Sequence, residues 1–342
     1  MIGKIAVAAL IGFCGYTYLS IRPPPPKICG TPGGPPVTST RIKLRDGRHL
    51  AYKEKGVAKE EAKFKIVIVH GLGDSKDFDP PLSEELINEF QIYAVFFDRA
   101  GYGESDPNPT RSVKSEAFDI QELADTLQLG NKFFVVGISL GAYSIYSCLH
   151  YIPHRIAGAA LVVPFVNYWW KFFPAALAKE CFEERLRQNQ WAFRVAHYAP
   201  WLLYWWMTQK WFPCLRTQRN FDVLSEPDQE IIKRRSTEPP QEGQVKVTQQ
   251  GVHESLHRDM IVGFGKWEFD PTDIRNPFPD NEDHVHLWQG YEDRFISYKL
   301  NRYLSQQLPW IRYHEVPNAG HLLIYNATLC ETIFKVLLSS NS

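Results

Sequence analysis

The segment from Phe133 to Leu149 constrains the fold of this chain more than any other. Phe133–Gly137 is a short, wholly apolar run of the kind that forms a buried strand, and it leads into Gly137-Ile138-Ser139-Leu140-Gly141. A helix is predicted to begin at Ala142. A Gly-x-Ser-x-Gly pattern between a strand and a helix predicts a nucleophile elbow, in which a sharp turn lifts a serine hydroxyl clear of the sheet. Ser139 is therefore predicted to be a nucleophile, and a serine that merely caps the helix is the alternative.

Other short apolar runs occur on both sides of this elbow. Strands are predicted at Lys65–Val69, Ile92–Phe97, Phe133–Gly137, Gly158–Val163, His284–Trp288 and Trp310–Val316. Helices are predicted at Ser115–Leu129, Ile296–Gln307 and Leu322–Leu338. Apolar runs that alternate with helices predict a mostly parallel sheet flanked by helices, so the fold class is α/β. Arg41–Gly56, with Asp46-Gly47 near its centre, predicts an antiparallel hairpin.

The alternation of strands and helices is interrupted between about Pro164 and Pro279. Eight of the ten tryptophans lie in Trp169–Trp267, so this stretch differs in composition from the rest of the chain. It is predicted to be a helical, aromatic-rich cap inserted into the core. The predicted organisation is a hydrophobic anchor at 1–22, a Pro/Gly-rich linker at 23–36, core at 37–163, the cap at 164–279 and core again at 280–342.

Charge and cysteine content exclude several classes of protein. Thirty-eight basic residues balance thirty-eight acidic ones, which argues against a nucleic-acid partner and for a small or neutral one. No C-x-x-C pair occurs, so a metal site is not expected. A disulfide framework is not expected either, because a chain of this length can build a core without disulfides. Free thiols are predicted for Cys14, Cys29, Cys148, Cys181, Cys214 and Cys330.

The N-terminal run Ile5–Ile21 carries no charge and is at the short end of what spans a bilayer core of about 30 Å. It predicts an uncleaved membrane anchor, with a cleaved signal peptide as the alternative. Basic residues after the run favour a cytosolic catalytic part on an endomembrane, and the secretory pathway is the alternative. Asn326 begins a glycosylation sequon, but it is predicted to lie inside a helix, which favours chance occurrence.

A serine hydroxyl needs a base, and the base needs an orienting carboxylate. His321, in Asn318-Ala319-Gly320-His321 after the last predicted strand, is the candidate base. Where a serine on a nucleophile elbow has a histidine base and an orienting acid, the three follow along the chain in the order Ser, acid, His. Asp293 and its neighbour Glu292 are therefore the candidates for the acid. Asp293 is favoured by its position after Gly290.

The oxyanion of an acyl-transfer reaction needs waiting backbone donors. The N–H of Leu140, the residue after the nucleophile, is one candidate. The second is expected from the loop after the first parallel strand, with Leu72 in His70-Gly71-Leu72-Gly73 as donor. His70 is predicted to shape this loop, and Asp98–Ser105 to brace an adjoining one.

These motifs together resemble the α/β-hydrolase family from about Val37 to the C-terminus. The residues that carry the resemblance are His70-Gly71, Asp98-x-x-Gly101-x-Gly103-x-Ser105, the elbow, Gly290-x-x-Asp293 and Gly320-His321. Phe97–Leu129 resembles most a plant subgroup with N-terminal hydrophobic segments. The family resemblance implies an ester, thioester or amide substrate, an acyl-enzyme on Ser139, Asp293 as the acid and no cofactor.

The aromatic cap bears on the substrate. Tyr168–Phe173 and Pro200–Trp206 combine amphipathic rings with flanking Lys, which suits a membrane interface or an apolar pocket, although packing of the cap onto the core explains them equally well. A lipophilic ester is therefore the predicted substrate. The same family contains ligand receptors and acyltransferases. Some of those acyltransferases carry His-x4-Asp, whereas Asn326 stands five residues after His321 here, which counts mildly against acyl transfer.

Overall fold

A central sheet organises the residues that the computed structural model describes, which are 2–211, 224–235, 246–278 and 284–339. Its strands are β1 Arg41–Lys43, β2 His49–Gly56, β3 Phe64–Val69, β4 Ile92–Phe97, β5 Phe133–Ile138, β6 Ile156–Val162, β7 Val285–Gly290 and β8 Arg312–Val316. They lie in the order β1-β2-β4-β3-β5-β6-β7-β8. The β1–β2 and β2–β4 pairs are antiparallel, and all later pairs are parallel.

Helices cover both faces of this sheet. The α-helices among the described residues, of which the first is exposed, are α1 Ile2–Ile21, α2 Glu84–Phe90, α3 Val113–Thr126, α4 Ala142–Tyr151, α5 Ala175–Glu183, α6 Arg187–Tyr198, α7 Leu203–Thr208, α8 Glu226–Arg235, α9 Arg258–Phe264, α10 Tyr298–Gln307 and α11 Ala327–Ser339. The α/β prediction, a mostly parallel sheet flanked by helices, is confirmed, and each predicted strand is present within two residues of its expected ends.

Alternation along the strands creates two apolar layers. In β3, Val67 and Val69 face the layer that also holds Ile120 of α3. Ile66 and Ile68 face the layer that holds Phe334 of α11. Because both faces of a parallel sheet must be buried, strands β3 to β6 are apolar at nearly every position, which is the pattern that predicted them.

The last helix begins later than predicted. Leu323–Tyr325 forms a single 3-10 turn, and α11 begins only at Ala327. Asn326 lies between them with extended backbone, and its Oδ1 accepts a hydrogen bond from the Leu329 N–H at 3.2 Å. The prediction that Asn326 lies inside a helix is therefore wrong, because an asparagine side chain satisfies a free N–H at a helix start better than it fits a helix interior.

Helix α1 is the one helix in the described ranges that is long and apolar enough to cross a membrane, and a signal sequence has the same properties. The described cysteines are free thiols, and Cys214 lies outside the described residues. Helices α5 to α9 lie between β6 and β7, where the interruption of the strand–helix alternation was predicted, and Pro279 at its end is not among the described residues.

Candidate active site

The turn between β5 and α4 places Ser139 in a conformation that few residues adopt. Its φ is 53°, in the left-handed region, whereas Ile138 before it is extended. A Cβ added to Gly141 would lie 2.7 Å from the carbonyl oxygen of Val69, so only glycine allows the turn to approach β3 this closely. Local strain of this kind is characteristic of a nucleophile elbow, because it lifts the serine Oγ out of the sheet.

Two loops bring an imidazole and a carboxylate to that hydroxyl. His321 follows β8 and Asp293 follows β7, so both lie at the carboxyl edge of the sheet where β5 ends at the elbow. The His321 Nε2 atom lies 2.9 Å from Ser139 Oγ, and its Nδ1 lies 2.8 Å from Asp293 Oδ2. When Nδ1–H donates to the carboxylate, Nε2 is left free to accept the serine proton. This arrangement matches a nucleophile, a base and an orienting acid.

The surroundings of Asp293 fix its carboxylate. Asp293 Oδ1 accepts the backbone N–H groups of Phe295 at 2.8 Å and Ile296 at 2.9 Å, and Oδ2 lies 3.2 Å from Gln289 Nε2. The side chain is buried. Glu292, the other candidate acid, directs its backbone N–H to Ala319 O and makes no side-chain contact with His321 among the described hydrogen bonds. The structure therefore brings Asp293, and not Glu292, to the imidazole.

Electrostatics favour the protonated form of His321. Burial by itself disfavours the imidazolium, but the Asp293 carboxylate, its hydrogen bond and the more distant Asp228 outweigh burial, so the pKa of His321 is raised above its ordinary value. An imidazole in this setting takes a proton from a serine more readily than one in water. The same setting stabilises the imidazolium that forms as Ser139 attacks a carbonyl carbon.

Asp228 is a site residue that the sequence did not reveal. It lies near the start of α8, and its Oδ2 accepts the backbone N–H of His321 at 3.0 Å while Oδ1 accepts that of Leu322 at 2.7 Å. Ser225 Oγ donates to the same carboxylate at 2.8 Å. One fully buried carboxylate thus holds the backbone of the loop that carries His321. No local pattern marks this role of Asp228, because the His321 and Leu322 N–H groups that it binds lie more than ninety residues away in the chain.

The loop after β3 is fixed by side chains that bind its backbone. Gly71 O accepts hydrogen bonds from His70 Nδ1 at 2.8 Å and from Arg99 Nη2 at 3.2 Å. His70 Nε2 accepts the Arg99 backbone N–H at 3.1 Å, which leaves the ring proton on Nδ1. Burial, followed by the Arg99 charge, lowers the pKa of His70 well below its ordinary value, so the ring is neutral. His70 therefore has the loop-shaping position that was expected of it.

This anchoring orients the candidate oxyanion donors. Because a trans peptide unit is planar, fixing the Gly71 C=O on one side points the Leu72 N–H to the other. Leu72 and Leu140 line the same cavity as Ser139, and a Cβ added to Gly71 would lie 3.2 Å from Ser139 Cβ. Both residues predicted to supply donors thus line the cavity at Ser139, and Leu140 also belongs to the turn that leads into α4.

A buried ionic cluster ties this loop to α9. Arg99 Nη1 and Nη2 lie 2.5 and 2.6 Å from the two carboxylate oxygens of Asp259. Arg111 Nη2 lies 3.2 Å from Asp259 Oδ1. Tyr102 and Tyr143 each donate a hydroxyl to Asp259 at 2.6 Å. Burial alone disfavours the carboxylate, but the two arginines and the hydrogen bonds lower the pKa of Asp259 to about 2. The loop that carries Leu72 is therefore held by Asp259, which belongs to the chain segment that connects β6 to β7.

The segment Asp98–Ser105 was expected to brace an adjoining loop, and Asp98 contacts the loop after β3 as well as its own segment. Asp98 Oδ1 accepts the Lys76 N–H at 2.7 Å and Oδ2 accepts the Glu104 N–H at 3.0 Å. Ser105 Oγ donates to Asp98 O at 2.5 Å. Burial raises the pKa of the Asp98 carboxyl to about 6. These contacts give the segment a structural role next to Arg99.

A cavity of about 670 Å³ opens beside Ser139. Its walls are mainly apolar, and its charged groups are Glu184, Arg185, Asp293, Arg294 and His321. Helices from the segment between β6 and β7 form one side, with residues that include Asn189, Phe193, Ile232 and Phe264. Within the described ranges, no three His, Cys, Asp or Glu side chains are placed to hold a metal ion.

The strand order and the elbow at the end of β5 define the class of protein as an α/β hydrolase. The sequence matches the alpha/beta hydrolase family over residues 66–329, and the chain belongs to that family. A comparison with curated protein sequences gave no match.

Solved structures show the same fold. The esterase from Thermogutta terrifontis, with malate bound, has a TM-score of 0.52 and 19% identity and covers 89% of this chain and 100% of its own. The esterase from Exiguobacterium antarcticum has a TM-score of 0.52 and 15% identity over the same shares. An alpha/beta hydrolase fold protein from Chitinophaga pinensis has a TM-score of 0.55 and 18% identity, covering 86% and 96%. At such identities the likeness concerns the fold alone.

Proposed function

We propose that this protein is a membrane-anchored serine hydrolase that cleaves lipophilic carboxylic esters through an acyl-enzyme on Ser139. The observation that carries the proposal is the continuous hydrogen-bonded chain from Ser139 through His321 to Asp293. Its members come from three separate loops, and one of them has a left-handed backbone. The two esterases of the same fold support an ester as substrate.

The proposed reaction begins with attack of Ser139 Oγ on the ester carbonyl carbon while His321 Nε2 takes the hydroxyl proton. Asp293 holds the imidazolium, and the N–H groups of Leu72 and Leu140 receive the developing oxyanion. His321 then protonates the leaving alcohol, which departs and leaves the acyl group on Ser139. Water attacks this ester with His321 as base, and the imidazolium then returns the proton to Ser139 Oγ as the carboxylic acid leaves. Every proton passes through one imidazole, and no cofactor takes part.

The cavity supports a lipophilic acyl or alcohol group. Phe165, Phe193 and Phe264 line it together with aliphatic side chains, and a volume of about 670 Å³ is in the range of small-molecule sites. Ionic groups other than the triad, Glu184 and Arg185 among them, belong to the segment between β6 and β7 or to the loop after β7. An uncharged acyl or alkyl chain of the substrate would therefore contact mostly apolar side chains in this cavity.

The proposed organisation is that predicted from sequence. Residues 1–22 anchor the chain in a membrane, 23–36 link the anchor to the fold, and 164–279 form a cap over the two core parts, 37–163 and 280–342. The length and apolar character of α1 support the anchor. Placement of the catalytic part in the cytosol, on an endomembrane, rests on the basic residues after the anchor. The plant-subgroup resemblance stays a prediction.

The proposal is tested with the full chain in detergent. Wild-type protein is expected to release acid from a series of esters and to prefer medium or long acyl chains over acetyl. Ser139→Ala, with an unchanged circular dichroism spectrum, is expected to lose at least about 10³-fold in kcat. Binding of the esters without turnover by wild-type protein would overturn hydrolysis and favour a ligand receptor. Transfer to an added alcohol in place of release of the acid would favour an acyltransferase.

A further inference from the structure

We propose that the outer face of α6, α7 and their flanking turns is an interfacial surface that rests on the lipid bilayer. This aromatic face consists of Trp191, Tyr198, Trp201 and Trp211, whose exposed fractions are 53%, 68%, 66% and 79%. Tryptophan and tyrosine in globular proteins are on average highly or partly buried, so four exposed rings within twenty-one residues call for an explanation. The inference rests on the proposed membrane anchor and adds a second contact to it.

A series of ring contacts links Trp191 at one end of this face to Trp211 at the other. Trp191 lies 6.0 Å from Trp206 between ring centroids, Trp206 lies 6.4 Å from Trp205, and Trp205 lies 6.0 Å from Trp211. Tyr198 is supported from below, because its hydroxyl accepts a hydrogen bond from Trp169 Nε1 at 2.8 Å. Rings of this kind, apolar with one polar atom, concentrate at the level of lipid headgroups.

The charge of the segment suits a membrane surface. Residues 186–211 contain no Asp or Glu, whereas Arg187, Arg194 and Lys210 are basic. The Arg194 guanidinium lies 5.3 Å from the centroid of the Trp191 ring. Basic side chains next to exposed aromatic rings attract anionic lipid headgroups. This composition therefore favours a bilayer over a folded acidic domain as the partner of the aromatic face. An acidic domain would bind the basic side chains, but only a bilayer also offers an apolar phase to the exposed rings.

The path of the N-terminal chain brings this face to the membrane. The Lys27 N–H donates to Gln250 O at 2.9 Å and the Cys29 N–H to Gln250 Oε1 at 3.0 Å, so the linker is fixed to the fold there. Only residues 22–26 lie between that point and the end of α1, and such a span reaches about 20 Å when fully extended. Helix α1 also contacts α7. A bilayer that holds α1 is thus within reach of the aromatic face.

The same helix that carries this surface lines the cavity beside Ser139. Asn189 and Phe193 of α6 face the cavity, while Trp191 and Tyr198 of the same helix are exposed. Leu186, at the start of this helix, lines the cavity and is 39% exposed. About the diameter of one helix, 10–12 Å, therefore separates the aromatic face from the cavity that an ester dissolved in the bilayer would enter. The substrate class that follows is an ester that partitions into membranes.

A fluorescence experiment on the full chain tests the contact without catalysis. A thiol-reactive nitrobenzoxadiazole dye is placed at Trp201→Cys or, as control, at Lys132→Cys, in a Cys14→Ser/Cys214→Ser background whose other cysteines are buried. Lys132 is exposed and precedes β5, so it lies at the edge of the sheet opposite Ser139. The protein is reconstituted into phosphatidylcholine–phosphatidylserine vesicles that carry a headgroup spin label.

Quenching at position 201 is expected to exceed that at position 132 at least twofold, with emission shifted to the blue. Equal quenching at the two positions, or no association with vesicles, would overturn the inference. A second comparison uses the Trp201→Ser/Trp211→Ser variant, which is expected to hydrolyse a soluble acetyl ester at the wild-type rate but a vesicle-borne ester several-fold more slowly. Equal loss on both esters would contradict the surface, whereas no hydrolysis of either ester by wild-type protein would contradict the proposed reaction and leave the quenching result standing.

Discussion

Asp228 accepts the backbone N–H of His321 at 3.0 Å, and this contact joins a carboxylate on α8 to the loop that carries the candidate base. The same carboxylate accepts the next N–H, from Leu322, at 2.7 Å. Two charge-assisted hydrogen bonds to consecutive peptide groups fix the position of a loop more firmly than a single one. The position of His321 is therefore set by Asp228, in the chain segment that connects β6 to β7, as well as by the loop after β8.

Removal of Asp228 is expected to impair the reaction without removing any reacting group. Asp228→Ala leaves two partly buried N–H groups without their carboxylate partner, which costs up to roughly 1–3 kcal/mol each and allows the loop to shift. We expect kcat/KM to fall about 10- to 100-fold and the pH midpoint set by His321 to move lower, because Asp228 contributes to its raised pKa. A pH–rate profile separates these effects from general destabilisation, which would lower the rate and leave the midpoint unchanged.

The pH dependence of the reaction follows from the state of His321. The base must be neutral, so kcat/KM is expected to fall as the pH drops through the His321 pKa. Asp293 is the main group that holds this pKa above the ordinary histidine value of 6.5, so the midpoint is expected above 6.5. Asp293→Asn should move the midpoint lower and reduce kcat by about 10⁴-fold, since the amide no longer orients the ring. A wild-type midpoint below 6 would contradict this electrostatic account.

The buried cluster around Asp259 makes a prediction about stability. Asp259→Asn removes the carboxylate that faces Arg99 and Arg111 and leaves the buried Arg99 guanidinium without an ion-pair partner, whereas Arg111 keeps Glu116 at 2.6 Å. We expect the free energy of unfolding in urea to fall by about 3–5 kcal/mol. The matched control is Lys55→Ala, which breaks a partly exposed ion pair with Asp79 at 2.7 Å and should change stability by less than about 1 kcal/mol. A similar decrease in the free energy of unfolding of both variants would contradict the prediction that the buried cluster stabilises the fold more than a partly exposed ion pair does.

The tight approach of the elbow to β3 is tested at Gly141. A Cβ there would lie 2.7 Å from Val69 O, so Gly141→Ala must displace backbone and is expected to abolish hydrolysis and reduce stability. Gly12→Ala is the control, because a Cβ at Gly12 meets no atom within 4 Å. Activity and circular dichroism of both variants check the prediction. A fully active Gly141→Ala enzyme would show that the turn is not constrained in this way.

The sequence predicted the sheet and the neighbourhood of Ser139 because both depend on local patterns. Apolar runs marked the strands, and glycines marked the turns that place Ser139, Asp293 and His321 at one edge. Asp228 and Asp259 could not be predicted, because buried charges are indistinguishable in sequence from solvated ones until their distant partners are known. The start of α11 was misplaced for a related reason, since the apolar pattern continues through the turn before Asn326.

The central claim is that Ser139 is the nucleophile, and the most direct measurement is the site of covalent modification by a fluorophosphonate. After reaction of the full chain, peptide mapping by mass spectrometry is expected to find one adduct, on the peptide that contains Ser139. His321→Ala should react at least about 10²-fold more slowly, because the hydroxyl then lacks its base. Ser139→Ala should not react at all. Equal labelling of Ser139→Ala, or an adduct on a different residue, would contradict the assignment.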